Sequence, residues 1–167
     1  LWVGVNFAKE LAKKMNLPII PVNHIEAHIF ANFLNLEPQR VVGGWRPAIC
    51  LIVSGGHTQL ILMKEVGNYK ILGETRDDAA GECFDKVARI LGLGYPGGPA
   101  IAQISKNSDR NPFSIRLPRP MIYQKNYDFS FSGLKTAVLY DYKNQPEKIR
   151  KSKKYVQTMA AEAQQAI

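Results

Sequence analysis

Cysteine is scarce: Cys50 and Cys83 are the two in 167 residues, far apart and outside any Cys-x-x-Cys pattern. That excludes a disulfide scaffold and a cysteine-built zinc site, and a reducing, cytoplasmic setting is expected. Long apolar runs are missing as well. The longest, Ala48–Val53 and Leu60–Met63, fall far short of the roughly 18 residues a membrane-spanning helix needs. No Gly-Lys-Ser/Thr of a Walker A loop occurs, and no self-similarity at solenoid periods. Acidic residues are few, 14 against 22 Lys and Arg, which leaves a formal charge of +8.

What is present is globular composition, with 46% apolar and 10% aromatic residues. That suits one domain or pieces of two lobes. The start lacks Met and any leader pattern, and the end breaks off in an Ala- and Gln-rich helical stretch, so both ends are expected to be cuts. The basic excess lies C-terminally: residues 103–167 hold twelve cations and five acids. Lys148, Arg150, Lys151, Lys153 and Lys154, with Tyr123, Tyr127, Tyr140, Tyr142 and Tyr155, suit either RNA phosphates or a solvated helix face.

Periodicity predicts a helix over residues 2–15, with Val3, Phe7, Leu11 and Met15 on a face that packs on a core, ended by Asn16. Pro18–Val22 reads as an edge strand, and Asn23 caps a helix from His24 to about Leu36. Residues 41–47 look like a connector between lobes. Ala48–Val53, Thr58–Val66 and Tyr69–Glu74 predict a β-meander. Helices follow at about 79–91 and, past a glycine loop, to about Lys106; residues 107–128 are irregular. Phe129–Ser132 reads as a short strand or turn, then a helix over 133–142 and a last one from Glu147.

Several residues could do chemistry. His24 and His28, four apart on a helix, project from one face and could share a metal ion or merely be neighbours. They do not form a zincin motif: Ile25 holds the place of its Glu, and Glu26 points roughly 200° away. Val53-Ser54-Gly55-Gly56-His57 joins two strands. It could receive an anion on backbone N–H groups, or be an ordinary glycine hairpin. Asp77, Asp78 and Glu82 are accounted for as acids at a helix N-terminus. Asp85, at mid-helix, could accept from ribose hydroxyls or a substrate amine, and Gly98 could bring backbone close to the same ligand.

Five segments in order, His24-x-x-x-His28, 53–60 (VSGGHTQL), 77–86 (DDAAGECFDK), 95–99 (YPGGP) and 129–137 (FSFSGLKTA), closely resemble the bacterial TsaD family of tRNA N6-adenosine threonylcarbamoyltransferases. The resemblance spans nearly the whole chain. It implies an α/β ASKHA (actin-like, Hsp70-like) fold of two lobes around a nucleotide cleft, with residues 1–46 ending the first lobe and 47–167 beginning the second. It implies transfer of the threonylcarbamoyl group from threonylcarbamoyl-AMP to N6 of adenosine 37 in tRNAs reading ANN codons. By the same likeness His24 and His28 are metal ligands, for Fe2+ or, in vitro, Zn2+. Ile52, Val53, Ser54, Gly55, Gly56, Asp85 and Gly98 contact the adenylate, and the partners are an inactive paralogue, TsaB, and a P-loop ATPase, TsaE.

Cys83 departs from the family's usual alanine and is expected to be inert. The family's third metal ligand, an aspartate, and its adenine contacts lie outside residues 1–167, so this chain is expected to be inactive alone. The alternative is a small-molecule kinase or ATPase of the same superfold. The histidine pair argues against it, because such enzymes hold Mg2+ through phosphates and carboxylates.

Overall fold

Apolar runs and two tight turns draw residues 48–74 into an antiparallel meander. A computed structural model describes residues 2–34, 47–106 and 111–167 of the chain. Leu1–Gly44 and Trp45–Ile167 form two separate compact units.

In the first unit, α1 runs Trp2–Met15 and α2 runs His24–Ala31. Asn16, at φ 51°, ends α1 in the left-handed region that favours Asn, and Leu17 N–H closes back onto Ala12 O at 2.9 Å. Asn23 caps α2 as expected, its Oδ1 accepting from Ile25 N and Glu26 N at 2.9 and 3.1 Å. Two expectations fail. The apolar face of α1 packs on no core among the described residues, and Trp2, Phe7 and Met15 stand exposed. Pro18–Val22 pairs with no strand, since two prolines remove ladder donors from so short a run. The connector at 41–46, and the end expected for α2 at Leu36, lie outside the described residues.

In the second unit, β1 (Ala48–Val53), β2 (Thr58–Glu65) and β3 (Asn68–Glu74) pair antiparallel in the order β1-β2-β3. Val53 faces Thr58 across the first turn. Gly67, at φ 81° with open space around it, turns the second. Then come α3 (Ala80–Ile90), α4 (Gly97–Ser105), α5 (Ser132–Asn144), the short α6 (Glu147–Arg150) and α7 (Lys153–Ala166). The described part is thus α/β, as expected. One predicted last helix is two, because Ser152 is a cap and not an interior residue, its Oγ accepting from Tyr155 N at 3.3 Å.

Apolar spacing on the four longer helices builds one core. Val87, Ile101, Leu134, Val138 and Met159 are fully buried in it, each stabilising the fold by about 1.5–3 kcal/mol relative to exposure. Tyr155 is buried there too, and its hydroxyl donates to Asp141 Oδ1 at 2.6 Å, fastening α7 to α5. Burial, then that bond, raises its pKa. Residues 111–128 are irregular, as expected; 107–110 lie outside the described residues.

Candidate functional site

The 54–57 turn is held from within and from behind. Ser54 N donates to His57 O at 2.8 Å, and Ser54 Oγ accepts from Gly56 N and His57 N at 3.3 and 3.0 Å. The Oγ proton has only a long, 3.5 Å contact to His57 O, so it can be donated outward. A Cβ on Gly55 or Gly56 would meet nothing within 4 Å, so the turn's outer side is open.

Behind it stands the N-terminus of α3. Ala79, at the cap position, offers no side-chain bond, and two first-turn amides find partners in the meander instead. Ala80 N donates to the buried Thr58 Oγ1 at 2.9 Å, and Gly81 N to Ser54 O at 3.1 Å. A Cβ on Gly81 would lie 2.6 Å from Ser54 O and 2.8 Å from Gly55 Cα, so only glycine allows this approach. The positive end of the helix dipole therefore backs the turn.

Asp85 is four residues after Gly81 and so on the same face of α3, about 6 Å along. Its Oδ1 accepts from Gly97 N at 2.7 Å, capping α4 from outside. Gly97 is buried against α3, where a Cβ would lie 2.6 Å from Asp85 Cα. A Cβ on the neighbouring Gly98 would meet nothing within 4 Å. One helix face thus gathers Ser54, Gly55, Asp85 and the Gly97-Gly98 pair. Ile52, half-buried, and Val53, exposed, lead into the turn along β1.

Asp77 does not serve its own helix, which corrects the helix-terminus account. It accepts from Phe131 N and Ser132 N at 2.7 and 3.1 Å and from the hydroxyls of Ser130 and Ser132 at 2.6 and 2.8 Å. It therefore caps α5 across 54 residues of sequence. Desolvation pushes its carboxyl up, but these four bonds outweigh it and hold the pKa at about 2. Asp78 and Glu82 grip Lys86 at 2.7 and 2.8 Å; these bonds, Asp78's first, raise the amine to about 12. Cys83 is fully buried, and burial first, then Asp78 and Asp77, push its thiol up to about 12, which makes it unreactive.

In the other unit, His24 and His28 turn their rings together at 72°, with Nε2 atoms 3.3 Å apart on an exposed helix face. Two imidazoles bound at about 2.05 Å to one tetrahedral ion have nitrogens about 3.3 Å apart, so the pair fits a shared metal. No group of three or more His, Cys, Asp or Glu fit for a metal occurs among the described residues.

Sequence reasoning missed Thr58, Gly81 and Gly97. A glycine in the first turn of a helix was the available signal for the last two, since it costs stability unless something approaches closely.

A glycine turn backed by a helix N-terminus offers N–H donors and the positive end of a dipole to an anion. The chain belongs to the TsaD family, tRNA N6-adenosine threonylcarbamoyltransferase, whose model matches residues 1–167. It is similar to the proteins of that name from Thermosipho africanus, 56% identical over 143 residues covering 84% of this chain and 40% of the relative, and from Syntrophomonas wolfei, 50% identical over 168 residues covering 100% and 46%. The one from Clostridioides difficile is 46% identical over 170 residues, covering 100% and 47%. The chain spans less than half the length of these curated relatives.

Proposed function

We propose that this protein transfers the threonylcarbamoyl group of threonylcarbamoyl-AMP to N6 of adenosine 37 in tRNAs reading ANN codons, releasing AMP. The observation that carries this reading is the shared face of α3, where Gly81 seats the glycine turn and Asp85 fastens the start of α4. An adenylate needs such a surface: phosphate recognition at one end and ribose recognition about a helical turn away. Membership of the TsaD family supplies the reaction class.

In the reaction the N6–carbonyl bond forms, the bond between carbonyl carbon and phosphate oxygen breaks, and N6 gives up a proton. The chain's contribution is positioning and charge stabilisation. The Ser54 hydroxyl and the Gly55 N–H hold the phosphate as charge grows on it, with the open Gly56 beside them and the α3 dipole behind. Asp85 offers its second oxygen to a ribose hydroxyl, and the open side of Gly98 lets the ligand lie against backbone. Ile52 and Val53 carry the turn out to the ligand. His24 and His28 would hold Fe2+, or Zn2+ in vitro, through Nε2, and the ion would supply Lewis-acid stabilisation of oxygen charge.

The same reading gives the whole protein a two-lobed ASKHA fold, with residues 1–46 and 47–167 in separate lobes. It acts in the cytoplasm with the inactive paralogue TsaB and the P-loop ATPase TsaE as partners. No helix among the described residues is long and apolar enough to cross a membrane.

The test uses the full-length protein and its His24→Ala/His28→Ala variant, with bound metal measured and an ANN-decoding tRNA assayed for modification when threonylcarbamoyl-AMP is supplied. Wild type is expected to bind one metal and modify the tRNA, and the variant to lose both. A wild type that phosphorylates a small molecule and leaves tRNA untouched overturns the proposal.

A further inference from the structure

The tyrosines of the basic C-terminal half do not share one fate. Tyr155 is fully buried, and Tyr142 lies under Arg150, whose guanidinium carbon is 5.6 Å from the ring centroid. Tyr123 is 96% exposed and Tyr127 64%. Both stand in the irregular segment between α4 and α5, where residues 111–127 contain Arg116, Arg119 and Lys125 and no acid. All three cations are exposed.

This loop is fixed at both ends. On one side Ile115 is buried and exchanges bonds with the Asn111 side chain at 2.9 and 2.7 Å. On the other, Asp128 accepts from Glu74 N at 3.1 Å and pairs with Arg76, whose Nε is 2.7 Å away. Gly73 leaves room for the Tyr127 backbone to lie on β3. Between these anchors Met121 sits at φ 67°, a conformation side chains rarely take, and Gln124 N closes a turn onto its carbonyl at 2.8 Å. An exposed aromatic on an anchored, strained turn loses little conformational freedom when it binds.

We propose that loop 116–127 grips single-stranded RNA, with Tyr123 and Tyr127 stacking on unpaired bases and Arg116, Arg119 and Lys125 facing phosphates. The inference rests on the transferase reading for its substrate and goes beyond it in naming the surface. The chemistry favours RNA over a protein partner. Three exposed positive charges in residues 111–127, a stretch that contains no acid, complement a polyanion, and tyrosine faces accept any base. N6 of adenosine also lies on the base-pairing edge, so a nucleotide modified there must be presented unpaired.

The experiment measures binding of the full-length protein to a fluorescein-labelled anticodon stem-loop and to a fully paired duplex of equal length, at several salt concentrations. Tyr123→Ala/Tyr127→Ala is expected to weaken stem-loop binding by roughly 5- to 150-fold for each ring removed and leave duplex binding nearly unchanged. Tyr123→Phe/Tyr127→Phe, which keeps the ring faces, retains binding. Arg119→Gln/Lys125→Gln lowers the salt slope by about 0.7 per cation removed.

Unchanged stem-loop affinity in the alanine variant overturns the proposal. So does a loss seen only in Lys153→Gln/Lys154→Gln, which moves the RNA to α7, or a loop variant that keeps RNA but loses a co-purifying protein. The modification assay separates the two readings. Wild-type modification with indifferent loop variants removes the loop and keeps the transferase. A wild type that modifies nothing, yet loses stem-loop binding with the tyrosines, removes the transferase and keeps the loop.

Discussion

Gly97 and Gly98 are neighbours with opposite surroundings, and that difference separates a packing role from a ligand role. A methyl at Gly97 would strike Asp85 Cα and Phe84 O, both at 2.6 Å, and these backbone atoms cannot turn aside. Gly97→Ala is therefore expected to cost roughly 1–3 kcal/mol of stability. Gly98→Ala has no atom within 4 Å to meet, so thermal unfolding should register little change while affinity for the adenylate falls. Equal melting temperatures for the two variants would show that α4 does not depend on this approach to α3. Beforehand, Asp85 and Gly98 stood out as adenylate contacts only through the resemblance to the TsaD family. That Gly97 spaces helices and Gly98 faces open space was not readable, because adjacent glycines look alike until their neighbours are known.

Among elements, the least expected join is Asp77 to the N-terminus of α5. Its folded pKa is about 2 against an ordinary 3.8, so on acidification the unfolded chain takes up this proton first. The stabilisation is complete above about pH 5 and drains away as pH falls towards 2. Asp77→Asn should accordingly be less stable than wild type at pH 7, with the gap narrowing towards pH 2 in denaturant titrations. A gap that stays constant over that range would mean the carboxylate charge is not what holds α5.

The elements were legible where their signals are local. Asn23 before a helical run, the glycine loop after another, and the short apolar runs of β1 to β3 between turn residues all mark boundaries within a few residues of themselves. The break at Ser152 was local too, but four neighbouring cations made it look like the interior of a solvated helix. Asp77's partners were out of reach of any window, being 54 residues away, and an acid next to a helix start has a simpler explanation close by. The unpaired Pro18–Val22 failed for a different reason: strand pairing depends on a neighbour that the run itself cannot specify.

At the scale of the molecule, the chain covers 40–47% of relatives that carry the transferase name, and its described residues bring two metal-ligand candidates to one point. Two imidazoles leave an ion weakly held. The 167-residue chain alone is expected to give no modified adenosine under conditions in which the full-length protein does. Transfer by the isolated chain, measured by nucleoside mass spectrometry, would refute this.

The meander and the first helix turn behind it are locked by backbone contact at Gly81, while the turn at Gly67 stands in open space. Anyone wishing to splice a fluorescent reporter into this chain has, at Gly67 between β2 and β3, a position where a side chain meets nothing within 4 Å. A side chain at Gly81 would instead prise the 54–57 turn from its support.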